Sequence, residues 1–252
     1  MNDASHPFAA YSDYYDLLYH TKDYAGEARY IDTLIQKYNP NKGTLLDLGC
    51  GTGRHARSLV DLGYRVAGVE RSSQMVAKIA TSENLTCHVG DITTISLGQQ
   101  FDTVTALFHV VSYLTTNAQM LALFRNVHRH LKTSGLFIFD AWYGPGVANM
   151  KPEVRIKRVS DSSREVMRIA EPALRPNENR VDVHYSIYVR LLEERTFLKF
   201  EETHRLRHFS IPEMEFLSDS QGFKILSTEE FLSGKEPGPD TWACLFVMQK
   251  TS

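Results

Sequence analysis

This chain of 252 residues has little net charge, little cysteine and no long apolar run. A formal net charge of −2 provides no general field to attract nucleic acid. The longest apolar stretch, residues 104–114, is interrupted by polar side chains and is too short to span a bilayer. Residues 1–10 lack the basic and apolar segments of a signal peptide. We therefore expect a cytoplasmic protein that binds neither nucleic acid nor membranes.

The three cysteines, Cys50, Cys87 and Cys244, form neither a disulfide framework nor a zinc-binding spacing. His128 and His130 are two positions apart on a predicted helix and so point to different faces. We expect reduced thiols and no metal site. The length suits one large domain, or one domain with a sizeable insertion.

A glycine-rich turn in residues 45–53 indicates a ligand site. An apolar run that contains Asp47 ends there, and Gly49, Gly51 and Gly53 follow at alternate positions. Glycines permit positive φ and let a ligand approach the backbone closely. A dinucleotide fingerprint needs a glycine where Arg54 stands, and a phosphate-binding loop needs Gly-Lys-Ser/Thr, which is missing. From these residues alone, the turn is also compatible with a glycine-rich turn of some other α/β enzyme.

The run Asp-Leu-Gly-x-Gly-x-Gly resembles the first motif of class I S-adenosylmethionine (SAM)-dependent methyltransferases. Asp47, Glu70 and Asp91 lie in or at the ends of three successive predicted strands, where acids are able to accept from ribose hydroxyls and an adenine amino group. Each acid alone is also typical of a helix N-cap. Three in this order favour SAM, with S-adenosyl-L-homocysteine as product. The resemblance implies cofactor binding by Tyr15, Tyr24, Asp47, Gly49, Cys50, Gly51, Gly53, Glu70, Arg71, Met75, Asp91, Ile92, Leu107 and Phe108.

Hydrophobic periodicity predicts strands that alternate with helices, as in a parallel sheet covered by helices. The predicted strands are 44–48, 65–69, 85–89, 101–108, 136–140, 223–227 and 242–249, and the predicted helices are 25–38, 54–62, 72–80, 117–131 and 211–221. Together with the resemblance to class I methyltransferases, this pattern implies an α/β fold: a Rossmann-like methyltransferase core with a seven-stranded mixed sheet, its last strand antiparallel, and an inserted antiparallel β-sheet. We assign residues 1–140 and 209–252 to the core, with an N-terminal helical cover over the cofactor, and 141–208 to an inserted sheet for the substrate.

The inserted region shows period-two strands at 154–156, 181–189 and 197–209. Its segment 158–164 mixes Arg158 and Arg164 with serine hydroxyls, as a phosphate site would. The alternative is that these charged and hydroxyl side chains simply form the solvated face of an exposed hairpin, and it stays open.

A narrower resemblance runs from residue 15 onward and is most specific at 141–143, 158–165, 183–185 and 201–205. There the chain resembles the SAM-dependent N-methyltransferases of nucleotide-linked amino sugars, which make dimethylamino sugars for macrolide antibiotics. The resemblance implies a substrate site containing Trp142, Tyr143, Arg158, Ser160, Ser163, Arg164, His184 and Arg205. For His184, simple packing within its strand is an open alternative.

The chain departs from that family at position 113. The family has a candidate base, a histidine, five residues after the phenylalanine that ends the fourth strand, whereas this chain has Tyr113 there and a histidine earlier, at His109. Both are candidate catalytic residues, and for Tyr113 a core aromatic side chain is an open alternative. A phenol is a poor base at neutral pH. Methyl transfer from a sulfonium to a neutral amine needs mainly alignment, so the base is expected to be dispensable.

The expected enzyme is therefore a SAM-dependent methyltransferase whose acceptor is the amine of a nucleotide-linked amino sugar. Two alternatives stay open: a methyltransferase for another small molecule with an N- or O-acceptor, and a non-catalytic SAM-binding regulatory protein. A homodimer is compatible with the sequence.

Overall fold

The computed structural model describes residues 12–40 and 43–251. Contacts divide the chain into two compact units. The core unit comprises residues 23–150 and 208–252, and the insertion unit comprises residues 1–22 and 151–207. This division differs from the predicted boundaries at two places, because residues up to 22 group with the inserted sheet and residues 141–150 group with the core.

The described helices and strands largely follow the predicted order. The helices are α1 (Ser12–Leu18), α2 (Tyr24–Tyr38), α3 (Arg54–Asp61), α4 (Ser73–Val76), α5 (Asn117–His130), α6 (Gly144–Met150) and α7 (Ile211–Ser220). The strands are β1 (Thr44–Leu48), β2 (Arg65–Glu70), β3 (Leu85–Val89), β4 (Phe101–Ala106), β5 (Leu131–Tyr143), β6 (Arg155–Ser160), β7 (Arg164–Arg175), β8 (Arg180–Leu191), β9 (Thr196–Phe209), β10 (Phe223–Glu230) and β11 (Ala243–Lys250).

The core unit contains a seven-stranded mixed sheet in the order β3-β2-β1-β4-β5-β11-β10. Strands β1 to β5 pair in parallel, and β11 runs antiparallel to both of its neighbours. The predicted fold class, including the antiparallel last strand, is confirmed. The carboxyl ends of β1, β2, β3 and β4 therefore meet at one edge, where the candidate acids lie.

Helices cover both faces of this sheet because its strands alternate between two apolar clusters. Phe137 and Phe139 of β5 pack with Phe124 of α5, whereas Leu136 and Ile138 pack with the helices α2 and α3 on the other side. Helix α5 begins at a capping box in which Thr116 and Gln119 each accept from the other's backbone amide.

Two predicted elements end earlier than their sequence pattern suggests. The helix predicted at 72–80 is α4, a single turn, since the amides of Lys78 and Ile79 bond to carbonyls three residues back. Ile79 then packs at the glycine turn. The strand predicted at 101–108 ends at Ala106, because Phe108 and His109 adopt positive φ.

The insertion unit contains an antiparallel meander in the order β6-β7-β8-β9. Strand β7 was missing from the predicted strands. One face of the meander, here called the inner face, carries Val166, Ile187 and Val189, on which Tyr14 and Leu18 of α1 pack. These contacts explain why residues 12–22 group with the insertion unit, a grouping that the short aromatic segment does not reveal in sequence.

Candidate functional site

The three glycines of the turn after β1 all have positive φ: 71° at Gly49, 56° at Gly51 and 76° at Gly53. The amides of Gly49 and Cys50 donate to the Val69 carbonyl, at 2.7 and 3.1 Å. A Cβ at Gly49 would lie 2.6 Å from the Val110 side chain, so this turn excludes larger residues. A Cβ at Gly51 would meet only the Met75 sulfur, at 4.0 Å, which leaves room for a ligand against the backbone.

Glu70 joins the end of β2 to this turn. Its Oε2 accepts from the Gly51 amide at 3.0 Å, and its Oε1 accepts from the Ser72 amide at 2.8 Å. Burial raises the pKa of Glu70 above its ordinary value, although these amides and the charge of Arg71 oppose that shift. The carboxylate keeps lone pairs for further donors.

Asp47 is a buried acid with an unused acceptor. Its Oδ1 accepts from the Thr105 hydroxyl at 2.9 Å on the neighbouring strand. Among the described residues, no hydrogen-bond partner is found for its Oδ2. Burial raises the pKa of Asp47 to about 6, against the lowering effect of His55. A buried acceptor without a partner is costly, so this position suits a ligand that carries a positive charge and donor hydrogens.

A second buried pair lies beside Asp47 and was missed from the sequence. Nε2 of His55, on α3, lies 2.7 Å from Oε2 of Glu27 on α2, and both side chains are buried. The ring of Tyr24 packs edge-on against His55, and the guanidinium of Arg54 lies 4.6 Å from the Tyr24 ring centre. His55 follows the glycine turn directly, but its partner is 28 positions away in sequence, so no local pattern marks the pair.

Asp91 follows β3 and accepts from both the amide and the hydroxyl of Thr93, at 2.8 and 2.5 Å. Burial opposes ionisation there, but these bonds and the charge of Arg71 outweigh it, so the pKa of Asp91 lies below its ordinary value. Arg71 thus acts on both Glu70 and Asp91.

At the end of β4, Phe108 and His109 stand in the left-handed region with φ of 68° and 63°. Both of their amides donate to Asp140, at 2.6 and 3.1 Å. Nδ1 of His109 lies at an ion-pair distance of 2.6 Å from Oδ2 of the same carboxylate. Asp140 is fully buried; burial opposes its ionisation, but His109 and the two amides outweigh it and hold the pKa of Asp140 below its ordinary value. Asp140 was missed because it ends the fifth predicted strand without a glycine or a second acid.

Trp142 lies next to this group. Its ring centre is 6.3 Å from that of His109 and 5.0 Å from that of Trp242. Its backbone amide donates to the buried Ser112 hydroxyl at 3.0 Å. No partner is found among the described residues for its buried Nε1 donor. Tyr113 follows Ser112 in a short 3-10 helix (Val110–Tyr113) and is half-buried.

Thirteen of the fourteen predicted cofactor residues belong to the core unit, and Tyr15 belongs to the insertion unit. Leu107 is buried and Ile92 packs against the apolar cluster of α5. Met75 lies at the open side of Gly51. The roles of individual residues stay predictions.

The predicted substrate residues separate into distinct places. Trp142 and Tyr143 end β5 in the core unit, where burial raises the pKa of Tyr143 above its ordinary value. Arg158 and Ser160 pair in register with Met167 and Glu165, on the face opposite the inner face of the meander. That outer face has a cavity of about 480 Å³ whose lining includes Arg158, Ser160, Tyr188, Arg190 and Phe197.

Ser163 and Arg164 instead belong to a hairpin turn around Asp161. Both residues donate to the Asp161 carboxylate, the Ser163 hydroxyl at 2.8 Å and the Arg164 Nε at 3.2 Å. The Arg164 guanidinium lies 5.4 Å from the ring centre of Tyr14 on the inner face. The structure therefore does not bring Arg158 and Arg164 to one point.

His184 and Arg205 lie on β8 and β9. His184 contacts the Thr203 hydroxyl at 3.2 Å, and Arg205 is exposed opposite Asp182. The inner face also carries Arg168, which is not among the predicted substrate residues. It donates to the Tyr19 hydroxyl at 3.0 Å and lies 5.0 Å from the Tyr185 ring centre.

Within the described ranges, no helix is long and apolar enough to cross a membrane. In the same residues, no group of three or more His, Cys, Asp or Glu side chains is arranged to hold a metal ion.

Comparison with known proteins agrees with this geometry. A family described as "Methyltransferase domain" matches residues 45–135. The chain is 30% identical to the dTDP-3-amino-3,6-dideoxy-alpha-D-glucopyranose N,N-dimethyltransferase of Streptomyces fradiae, over 92% of this chain and 91% of that one. It is 28% identical to the dTDP-3-amino-3,4,6-trideoxy-alpha-D-glucopyranose N,N-dimethyltransferase of Streptomyces venezuelae, over 90% of this chain and 94% of that one.

Solved structures give the same result. The crystal structure of Streptomyces venezuelae DesVI matches with a TM-score of 0.78 and 26% identity, over 96% of this chain and 98% of that one. SAM-bound CalS10, an amino pentose methyltransferase from Micromonospora echinaspora, matches with a TM-score of 0.74 and 25% identity, over 96% and 97%. The glycine turn, which leaves room for a ligand at Gly51, and the acids at successive strand ends agree with these matches. This chain belongs to the SAM-dependent methyltransferases, in the family that contains the S. fradiae enzyme.

Proposed function

We propose that this protein transfers the methyl group of SAM to the amine of a nucleotide-linked amino sugar. The observation that carries the proposal is the extent of the match to the S. fradiae dimethyltransferase, which spans 92% of this chain. The common methyltransferase domain accounts only for residues 45–135. The remaining likeness must include most of the insertion unit, which a bare methyltransferase core does not need.

The core unit supplies the proposed cofactor contacts. Asp47 offers its unpartnered Oδ2 to the ammonium group of SAM, Glu70 accepts from the ribose hydroxyls and Asp91 accepts from the adenine amino group. The open side of Gly51 receives the methionine portion. Charge-assisted hydrogen bonds of this kind contribute about 1.5–3 kcal/mol each.

Bound SAM supplies an electrophilic methyl group on a sulfonium. The acceptor amine must be neutral to attack it. For an ammonium pKa of about 8 to 9, reaching the neutral form at pH 7 costs only about 1.4–2.7 kcal/mol, so alignment supplies most of the rate.

His109 is the side chain proposed to accept the proton of the acceptor amine. Since Asp140 faces Nδ1, Nε2 is the nitrogen left to accept a proton from the amine. The His109 ring is held by the buried Asp140 carboxylate. The rings of Phe108 and Trp142 flank it, at centre distances of 5.6 and 6.3 Å. Tyr113 is proposed to orient the amine by a hydrogen bond.

For the nucleotide end, the proposal assigns the diphosphate to Arg158 and Ser160. They line a concave surface with two aromatic rings, Tyr188 and Phe197, and with a second arginine, Arg190, which is paired with Glu165 at 3.3 Å. Arginines suit phosphate oxygens and aromatic rings suit a base. Trp142 and Tyr143 are proposed to line the sugar pocket.

The deciding experiment incubates the full chain with SAM and a panel of dTDP-linked amino sugars, and reads products by mass spectrometry. We expect a gain of one or two methyl groups on the amine of at least one sugar. The matched hydroxy sugars, identical except at the amine, serve as controls. Methylation of the hydroxy sugars would point to an O-acceptor, and an unmodified panel would contradict the proposal.

We further propose that the protein is cytoplasmic and forms a homodimer. Residues 1–140 and 209–252 are proposed to bind SAM, and the insertion 141–208 is proposed to bind the substrate. Light scattering on the purified chain tests the dimer.

A further inference from the structure

Two of the three cysteines lie side by side at the glycine turn. Cys50 is a residue of the turn itself and Cys87 lies in β3, yet their sulfurs are 3.7 Å apart. The third, Cys244, is buried in β11 and its sulfur contacts the Leu245 carbonyl. The pair thus joins the part of the chain that receives SAM to a strand 37 positions later.

The absence of a side chain at Gly68 of β2 leaves the room in which the Cys50 and Cys87 sulfurs lie next to each other. A Cβ at Gly68 would lie 2.6 Å from the Cys87 sulfur and 2.7 Å from the Cys50 sulfur. Strand β2 runs between the turn and β3, and Gly68 is in register with Cys87. Any larger residue at position 68 would push the sulfurs apart.

We propose that Cys50 and Cys87 are a site of reversible oxidation, at which a disulfide forms and closes the SAM site. This inference rests on the SAM site alone and is independent of the acceptor.

Cys87 is the thiol that reacts first. It is half-buried, whereas Cys50 is only 8% exposed. The hydrogen bond between the two thiols holds the pKa of Cys87 below its ordinary value, and the same bond together with burial holds the pKa of Cys50 above it. The thiolate is the nucleophile in thiol oxidation, so accessibility and charge both select Cys87.

The oxidant is a hydroperoxide. The Cys87 thiolate attacks the peroxide oxygen; an S–O bond forms, the O–O bond breaks, and the alkoxide leaves and takes up a proton to become an alcohol. The Cys50 sulfur, losing its proton, then attacks the Cys87 sulfenic acid. The S–S bond forms, the S–O bond breaks, and hydroxide leaves with that proton as water. Two thiols and one hydroperoxide thus yield one disulfide, one alcohol and one water.

Forming the disulfide displaces the glycine turn rather than β3, because the turn is the less firmly held of the two. The sulfurs must approach from 3.7 Å to about 2.0 Å. Strand β3 is paired with β2 over residues 85–89. The turn is held to β2 by fewer bonds, those of Gly49 and Cys50 to Val69 and of Gly51 to Glu70, and internally by the bond of the Gly53 amide to the Cys50 carbonyl. Displacing it removes the backbone surface at Gly51, so the oxidised protein binds SAM poorly.

The test treats the full reduced chain with hydrogen peroxide, maps thiols by peptide mass spectrometry and measures SAM affinity by calorimetry. We expect a peptide linking positions 50 and 87, an unmodified Cys244, and SAM affinity weakened by about tenfold or more, since turn hydrogen bonds are lost. A dithiol reductant restores the affinity. Saturating SAM during treatment slows formation of the link.

Cys87→Ser is the matched variant, and Cys244→Ser controls for loss of a thiol. Cys87→Ser should bind SAM as the reduced parent does and keep that affinity after peroxide, whereas Cys244→Ser should still lose it. If Cys87→Ser does not fold, the mapping on the parent chain decides. Free thiols at 50 and 87 after treatment, oxidation that stops at Cys87 alone, or a linked protein with unchanged SAM affinity each overturns the proposal.

Discussion

Nδ1 of His109 lies 2.6 Å from Oδ2 of Asp140. The same carboxylate accepts from the amides of Phe108 and His109, which both have positive φ. Left-handed non-glycine residues cost on the order of 1–3 kcal/mol each, and two amide hydrogen bonds and an ion-pair contact to one buried carboxylate offset that strain. The carboxylate therefore fixes both the backbone and the ring of the residue proposed to take the proton.

Asp140→Asn should lower kcat by about tenfold to a hundredfold, the factor that corresponds to the 1.4–2.7 kcal/mol of amine deprotonation. SAM affinity should change little. The loss should shrink as the pH rises toward the pKa of the acceptor amine, because solvent then supplies neutral amine. Steady-state rates across pH, with calorimetry for SAM, provide the measurement.

If Asp140 acts through His109, the two substitutions are not additive. His109→Ala with Asp140→Asn should then be no slower than His109→Ala alone. A double variant whose loss is the product of the single losses would assign Asp140 a separate role.

Tyr113→Phe tests the residue at the family's usual base position. Turnover should fall by less than about a hundredfold, because a phenol that only orients the amine contributes one hydrogen bond. The rise of the rate with pH should persist. A thousandfold loss, with disappearance of that rise, would make Tyr113 the general base and contradict the role given to His109.

Glu70→Ala should weaken SAM binding by on the order of 1.5–3 kcal/mol, through loss of the ribose contacts and of the bond to Gly51. Glu70→Gln is the matched control, since its amide oxygen still accepts from one backbone amide and should recover part of the affinity. Calorimetry that gives parental affinity for Glu70→Ala would remove Glu70 from the site.

SAM affinity should rise with pH because of Asp47. Burial raises the pKa of Asp47 to about 6 in the free protein, so the side chain is mostly protonated at pH 5. A ligand ammonium favours the ionised form, so binding below pH 6 releases a proton, and affinity at pH 5 should be about tenfold weaker than at pH 7.5. Above pH 7 the dependence should level off.

Asp47→Asn is the control for that pH dependence. The variant should bind SAM weakly at every pH, with the step near pH 6 gone. Equal proton release by the parent and the variant in calorimetry would assign the step to another group.

Arg158→Ala should raise the KM for the nucleotide sugar by about tenfold or more, as expected for a lost charge-assisted bond to phosphate. Arg164→Ala should have a smaller effect, since Arg164 is bound to Asp161 on the other side of the hairpin. SAM affinity should not change in either variant. A larger KM effect for Arg164→Ala would move the diphosphate to the inner face, near Arg168 and Tyr19.

The glycine turn and the acids beside it were predictable because their determinants are local in sequence. Asp47, the three glycines and Glu70 lie within two adjacent strand-turn units, and the positive φ of the three turn positions favours glycine. The alternation of strands and helices likewise predicted a sheet covered by helices, since each element must bury one apolar face, whereas the antiparallel last strand was expected from the family resemblance.

Only the tertiary structure decided the contacts between distant residues. Asp140 reaches His109 across 31 positions, and Cys87 reaches Cys50 across 37. Arg158 and Arg164 look equivalent in a basic segment, but an intervening hairpin turn places them on opposite faces. Composition and periodicity indicate that a segment is basic or buried, whereas strand pairing and register determine which side chains meet.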